Sequence, residues 1–223
     1  LGNLGVQAYQ LGQYVEAQRL FEEALQIARD TEDQVGVNVI LLNLAYIYAL
    51  NGEIEHALVL YDEARRSAET IGDRPLLGYI ENGVGRALLE NGRAIDALDH
   101  FHRALAIREE LEQPHLAAET QAMLAETLVL TGRTAEALGL IDQVLTFLES
   151  DVMETNEDTL RALVAIYRVL SAAGDGRAGE IARLRDGRAG DLVGLGDGRA
   201  GHLARLGDGG AGKLARLRDR RAG

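Results

Sequence analysis

The chain has 223 residues, a formal net charge of -12, 47% hydrophobic and 4% aromatic residues, no cysteine, no tryptophan and only 2 prolines. The missing cysteine excludes disulfides, thiolate metal sites and cysteine nucleophiles, and fits a reducing, cytoplasmic setting. No apolar run approaches the roughly 18–20 residues that cross a bilayer.

In chain order, the first thing met is a repeat. Gly12, Gly52, Gly92 and Gly132 are 40 residues apart, and so are Ala17, Ala57, Ala97 and Ala137. Phe21, Tyr61, Phe101 and Ile141 keep the same step, as do Leu4, Leu44, Val84 and Leu124. Around Gly12 the apolar spacing is helical on both sides. Leu4, Ala8 and Leu11 mark a first helix. Ala17, Leu20, Phe21, Ala24, Leu25 and Ala28 mark a second at i, i+3, i+4 and i+7. Each unit is therefore helix, glycine turn, helix, with the glycine in a left-handed or tight position. The units run 1–40, 41–80, 81–120 and 121–157. The stretches 31–39, 71–79 and 111–119, two of which hold Pro75 and Pro114, read as longer connections between hairpins. Ile166, Leu170 and Gly174 repeat Leu124, Leu128 and Gly132 at a step of 42, so residues 158–174 read as a capping helix for the last apolar face.

From Asp175 the composition changes. A motif Asp-Gly-Arg-Ala-Gly-x-Leu-Ala-Arg-Leu-x begins, with small variations, at Asp175, Asp186, Asp197, Asp208 and Asp219. This stretch carries 7 acids and 11 bases, leaving 28 of the 35 acids and 12 of the 23 bases on residues 1–174. An acidic body repels nucleic acid and anionic membranes. Residues 175–223 read as disordered or weakly helical, because each glycine costs about 1 kcal/mol inside a helix.

The chemistry-bearing patterns weigh little. Gly196-x-Gly198-x-x-Gly201 and its two relatives spell a dinucleotide fingerprint, but no strand precedes them and the tandem motif generates them all. No two histidines have the i, i+4 spacing of a helical metal site. Ser67, Ser150 and Ser171 stand in no nucleophile setting. The expectation is no enzyme, no cofactor and no metal.

Leu4-Gly5, Tyr9, Ala17 and Phe21, followed by Leu44-Ala45, Tyr48, Ala57 and Tyr61, resemble the tetratricopeptide repeat. The resemblance implies an all-α solenoid of antiparallel hairpins in a right-handed superhelix, with the first helix of each hairpin lining a concave groove. It covers residues 1–184, with units of 40 residues in place of about 34. Groove places then fall at Asn3, Val6, Tyr9 and Gln10; Asn43, Tyr46 and Ala49; Tyr79, Asn82, Arg86 and Leu89; Glu126 and Val129; and Arg168. Tyr9, Tyr46 and Tyr79 offer rigid contact area, Asn3, Asn43 and Asn82 can bond a peptide main chain, and Arg86 can take a carboxylate. The other reading of the same residues is that they satisfy one another between hairpins. The expected partner is a protein or peptide.

The wording Ala104-Leu-Ala-Ile-Arg-Glu-Glu-Leu-Glu-Gln-Pro-His-Leu-Ala-Ala-Glu119 and Ile166-Tyr-Arg-Val-Leu-Ser-Ala-Ala-Gly-Asp175 is similar to the C-terminal sensor arrays of bacterial signal-transduction (STAND-type) ATPase regulators. Similar long repeats occur in kinesin light chains. None of those regulators' N-terminal modules is in this chain, so ATP and DNA binding attach to no residue of it. The first helix opens inside a repeat, which reads as a fragment of a longer protein. The alternative to a ligand-binding scaffold is one that packs on copies of itself.

Overall fold

The computed structural model describes residues 1–150 and 157–194, and every element among them is an α-helix. The chain divides into two compact units, Leu1–Leu111 and Glu112–Gly223. Unit 1 holds α1 (Gly2–Gln10), α2 (Tyr14–Asp30), α3 (Gln34–Leu50), α4 (Ile54–Ile71), α5 (Arg74–Glu90) and α6 (Ala94–Glu110). Unit 2 holds α7 (Pro114–Leu130), α8 (Thr134–Ser150), α9 (Glu157–Ala173) and α10 (Ala178–Gly194).

The second helix of each hairpin is amphipathic. In α2 the buried residues are Ala17, Leu20, Phe21, Ala24, Leu25 and Ala28, the stripe that the periodicity predicts. The alanines at the crossing of each pair, Ala17, Ala57, Ala97 and Ala137, are fully buried. The turns close as expected. Gly12, Gly52, Gly92, Gly132 and Gly174 all have φ between +72° and +90°. The amide after each glycine reaches back five residues, as in Gln13 N to Ala8 O at 2.9 Å and Glu53 N to Tyr48 O at 2.8 Å. These bonds satisfy carbonyls that the helix end leaves open.

The connections between hairpins are shorter than the sequence suggests. Most of the stretches read as connections, 31–39, 71–79 and 111–119, lie within α3, α5 and α7. The extra residues lengthen the first helix of each hairpin. Asp33 and Asp73 cap their helices by accepting from Gly36 N at 2.9 Å and Leu76 N at 3.0 Å. Pro75 and Pro114 lie in the first turn, where a helix needs no N–H. Punctuation that looks like loop is helix start.

Each of these links also makes one left-handed residue, at a step of 40: Glu32 (φ 56°), Gly72 (φ 70°) and Glu112 (φ 53°). A side chain in that region costs about 1 kcal/mol. Glu32→Gly and Glu112→Gly, which copy Gly72, are therefore expected to raise stability by roughly 0.5–1 kcal/mol each, read as an upward shift of the denaturant midpoint. An unchanged or lower midpoint in both would contradict the strain.

The hairpin series does not stop at the composition change. α9 spans the residues read as a capping helix, and α10 follows it through the first tandem motif and into the second. Two contacts explain why this glycine-rich stretch folds. Asp175 Oδ1 accepts from Arg177 N at 2.9 Å, and the Arg177 guanidinium bridges Asp175 and Asp142 of α8, each at 2.7 Å. That arginine's side-chain bonds hold the Asp175 carboxyl down at about 2. Ile181 and Arg185 are buried, with the Arg185 guanidinium 4.7 Å from the centre of the Tyr167 ring on α9. Tertiary contact outweighs the low helix propensity. The remaining tandem motifs, from residue 195 on, lie outside the described residues.

Candidate functional site

The first helices place the predicted groove residues. In unit 1, Tyr9 on α1 is buried and meets Tyr46 on α3 edge-on, at 5.4 Å between ring centres and 83° between planes. Tyr14 closes the other side of Tyr9 at 5.9 Å. The Arg86 guanidinium of α5 lies 4.4 Å from the centre of the Tyr46 ring. Tyr9, Tyr46 and Arg86 thus form a column across three successive hairpins, held by edge-to-face and cation–π attraction. The other predicted places differ in exposure. Asn3 and Gln10 are exposed, and Val6 is partly buried. Asn82, Ala49 and Leu89 are buried. Asn43 is partly buried and donates its Nδ2 to Val39 O of its own helix at 3.0 Å, which uses one end of the amide expected to meet a peptide. Tyr79 is 46% exposed, with the buried Arg108 guanidinium 5.8 Å from its ring centre. Val39, one repeat before Tyr79, is 52% exposed. Val39 is not among the predicted places, although its 40-residue step to Tyr79 marks it.

In unit 2 the same face carries charge. Arg168 on α9 donates to Glu126 on α7 at 2.8 Å, so two predicted groove residues are partners. Seven residues earlier on each helix, Arg161 and Glu119 pair at 3.6 Å. Val129 is partly buried. The pair 119 and 161 is legible in the sequence as well, since it keeps the step of 42 that relates 126 to 168.

A further polar cluster lies between α4, α5 and α6. Glu81 is 6% exposed. Its carboxylate meets His100 Nδ1 at 2.8 Å, accepts from Arg103 Nε at 2.9 Å, and pairs with Arg65 Nε at 3.0 Å. Burial pushes this carboxyl up, but the His100 and Arg103 hydrogen bonds and the charges of Arg65 and Arg103 outweigh it and hold it below its ordinary value. One repeat earlier the places of Arg65, Glu81 and His100 are held by Leu25, Leu41 and Leu60, of which Leu25 and Leu41 are buried. A charged network stands at places that are leucine one repeat earlier.

Exposed charges elsewhere pair within and between hairpins, as in Arg29 with Glu63 at 2.6 Å and Arg74 with Glu110. Among the described residues, no group of three or more His, Asp or Glu is placed to hold a metal, and no helix is long and apolar enough to cross a membrane.

A tetratricopeptide repeat family model matches residues 1–70 and 76–150. The chain is 34% identical over 104 residues to photosystem I assembly protein Ycf3 of Parasynechococcus marenigrum (strain WH8102). That match covers 45% of this chain and 57% of that protein, so the chain spans little more than half the length of this relative. Among solved structures, a Podosopora anserina protein described as a kinesin light chain with nearly identical TPR-like repeats aligns with a TM-score of 0.62 at 22% identity, over 84% of this chain and 92% of that one. A second structure under the same description, of a substituted form, aligns with a TM-score of 0.63 at 21% identity, over 86% and 94%. These likenesses show the shared fold of stacked helical hairpins.

Proposed function

The chain belongs to the tetratricopeptide repeat family, and from that membership we propose that it is a non-enzymatic scaffold that holds a protein or peptide on the first helices of unit 1. The observation that carries this reading is the surface formed by Val39 and Tyr79. Both are about half exposed, at one repeat place on adjacent hairpins, two helical turns before Tyr46 and Arg86 on the same helices. Apolar area of that kind next to fixed polar groups is what a peptide-binding face needs. The column of Tyr9, Tyr46 and Arg86 fixes side chains further along the same first-helix series, and side chains already held in place lose less entropy on binding. The relative named as a photosystem I assembly protein supports a role in holding protein partners.

The finer reading is a cytoplasmic sensor fragment of a larger bacterial signalling regulator. The wording of residues 104–119 and 166–175 supports it. Ligand on unit 1 would then stiffen the repeats and release an attached effector. The strongly acidic composition argues against nucleic acid or anionic lipid as the ligand.

Peptides selected from a displayed library on the whole chain provide the test. Val39→Glu/Tyr79→Ala is expected to weaken the selected peptides by at least about tenfold, or roughly 1.4 kcal/mol. Peptides that bind both forms equally would remove this face from the function.

A further inference from the structure

The charged cluster between α4, α5 and α6 departs from the repeat on every side. Leucine holds the place of Arg65 one repeat earlier and one repeat later, at Leu25 and Leu105. It holds the place of His100 at Leu60 and Leu140. The place of Arg103 is acidic in the first two hairpins, at Glu23 and Glu63. The repeat itself therefore does not ask for these charges. Nor does stability, since apolar residues of the same volume are often as good as a buried ion pair or better.

Glu81 gathers the cluster. Its Oε1 pairs with Arg65 Nε at 3.0 Å, and its Oε2 accepts from Arg103 Nε at 2.9 Å and meets His100 Nδ1 at 2.8 Å. One buried carboxylate thus holds two guanidinium groups, one from α4 and one from α6, each at its Nε. A guanidinium has five N–H donors, so donors remain on the terminal nitrogens of both. Arg103 Nη2 lies 2.8 Å from His100 Nδ1. Arg65 Nη1 is 3.9 Å from Asp62, which Arg66 engages more closely at 3.1 Å. Among the described residues, Glu81 is the one acid within 4 Å of Arg103. The Arg103 side chain is 52% exposed and that of Arg65 25%, so both guanidinium groups can be reached from solvent.

We propose that Arg65 and Arg103 form a binding site for a phosphate group, which accepts from the terminal nitrogens of both while Glu81 orients them from within. Phosphate suits the place better than a carboxylate does. On a side chain at pH 7 it carries a charge of about -1.5 to -2 and three acceptor oxygens, enough for two planar donors at once. The rest of unit 1 selects for a single phosphate. Its 18 acids against 9 bases repel a polyanion such as nucleic acid. Asp99, one turn before Arg103, is exposed, and water weakens its repulsion. The site belongs to the second helices and does not depend on the Val39–Tyr79 surface.

The probes are inorganic phosphate and N-acetyl-phosphoserine, each titrated into the whole chain at constant ionic strength. The arginine Nε–H signals in nitrogen–proton correlation spectra report binding. The signals of Arg65 and Arg103 should shift together and saturate. Arg103→Gln, which copies Gln143 of the fourth hairpin at an exposed place, should raise the half-saturation concentration at least about tenfold, read on Arg65. Arg29→Gln removes one base elsewhere in unit 1 and should leave it unchanged. Tighter binding of phosphoserine assigns the site to a phosphorylated partner segment, and tighter binding of inorganic phosphate to the free ion. Absence of a saturable shift with either probe overturns the proposal, as does an equal loss in Arg103→Gln and Arg29→Gln, or no loss in Arg103→Gln.

Discussion

Glu81→Leu is expected to lower the unfolding free energy by about 3 kcal/mol, and Arg65→Leu/Glu81→Leu/His100→Leu to return it to the starting value or above. The single change leaves Arg65, His100 and Arg103 around a leucine. The Arg65 and His100 side chains are 25% and 19% exposed, so water compensates them only in part. Arg103 is 52% exposed and can turn to solvent. The triple change copies Leu25, Leu41 and Leu60, which hold the same places one repeat earlier, the first two of them buried. It trades a desolvated charge network for apolar burial of about 1.5–3 kcal/mol per side chain. Urea titrations followed by circular dichroism compare the four forms, including Glu81→Gln. A triple variant no more stable than Glu81→Leu would mean that the surrounding backbone has adapted to the charges.

The same cluster sets an acid limb. The folded carboxyl of Glu81 lies below its ordinary value of 4.5. Its contribution is therefore fully present above about pH 4.5 and is lost as pH falls through the lower folded value. Between about pH 6 and pH 3 the unaltered chain should lose more stability than Glu81→Gln, which has no carboxyl to protonate at that place. Parallel curves would assign the acid sensitivity to the exposed carboxylates.

The sequence shows some of this plainly and hides the rest for physical reasons. A residue with a backbone duty is easy to see. Gly12, Gly52, Gly92 and Gly132 repeat because the turn needs positive φ, and the structure has it at each. The α2 stripe is equally plain, because burial on one face imposes the period. The connections look longer in sequence than they are because Asp33, Asp73, Pro75 and Pro114 are residues of loops and of helix starts alike, and only the caps decide between them. Glu81, Arg65 and His100 are 16 and 19 residues apart and carry no local pattern. They stand out only when each is set against the leucine one repeat earlier. Glu126 and Arg168 are legible as repeat places of first helices but not as partners, since no local pattern says that α9 packs on α7. Where the tandem motif folds, Arg177 decides through contacts with Asp175 and Asp142 that composition does not reveal.

A second large effect is expected where a ring meets a glycine. Gly85→Ala should cost about 2 kcal/mol, although alanine is the better helix former by about 1 kcal/mol. A Cβ at Gly85 would stand 2.9–3.0 Å from three atoms of the Phe101 ring, which is fully buried and has nowhere to turn. The hairpins solve this contact in different ways. Gly5 gives way to Phe21 in the first. In the second the same place is Ala45, and the Tyr61 ring instead rests against Gly83 of the next hairpin, where a Cβ would come within 2.7–2.8 Å. In the fourth, Ala125 goes with the smaller Ile141, both fully buried. Phe101→Ile alone should cost roughly 1–2 kcal/mol through the space it leaves. Gly85→Ala/Phe101→Ile, which copies the fourth hairpin, should cost less than the two single changes together by at least about 1.5 kcal/mol. Gly139→Ala is the control, on an exposed helix face where a Cβ meets nothing within 4 Å. It should stabilise by about 0.5–1 kcal/mol. A favourable Gly139→Ala beside a strictly additive Gly85→Ala/Phe101→Ile would show that the ring yields to the methyl group, and that glycine holds these places for some reason other than the ring.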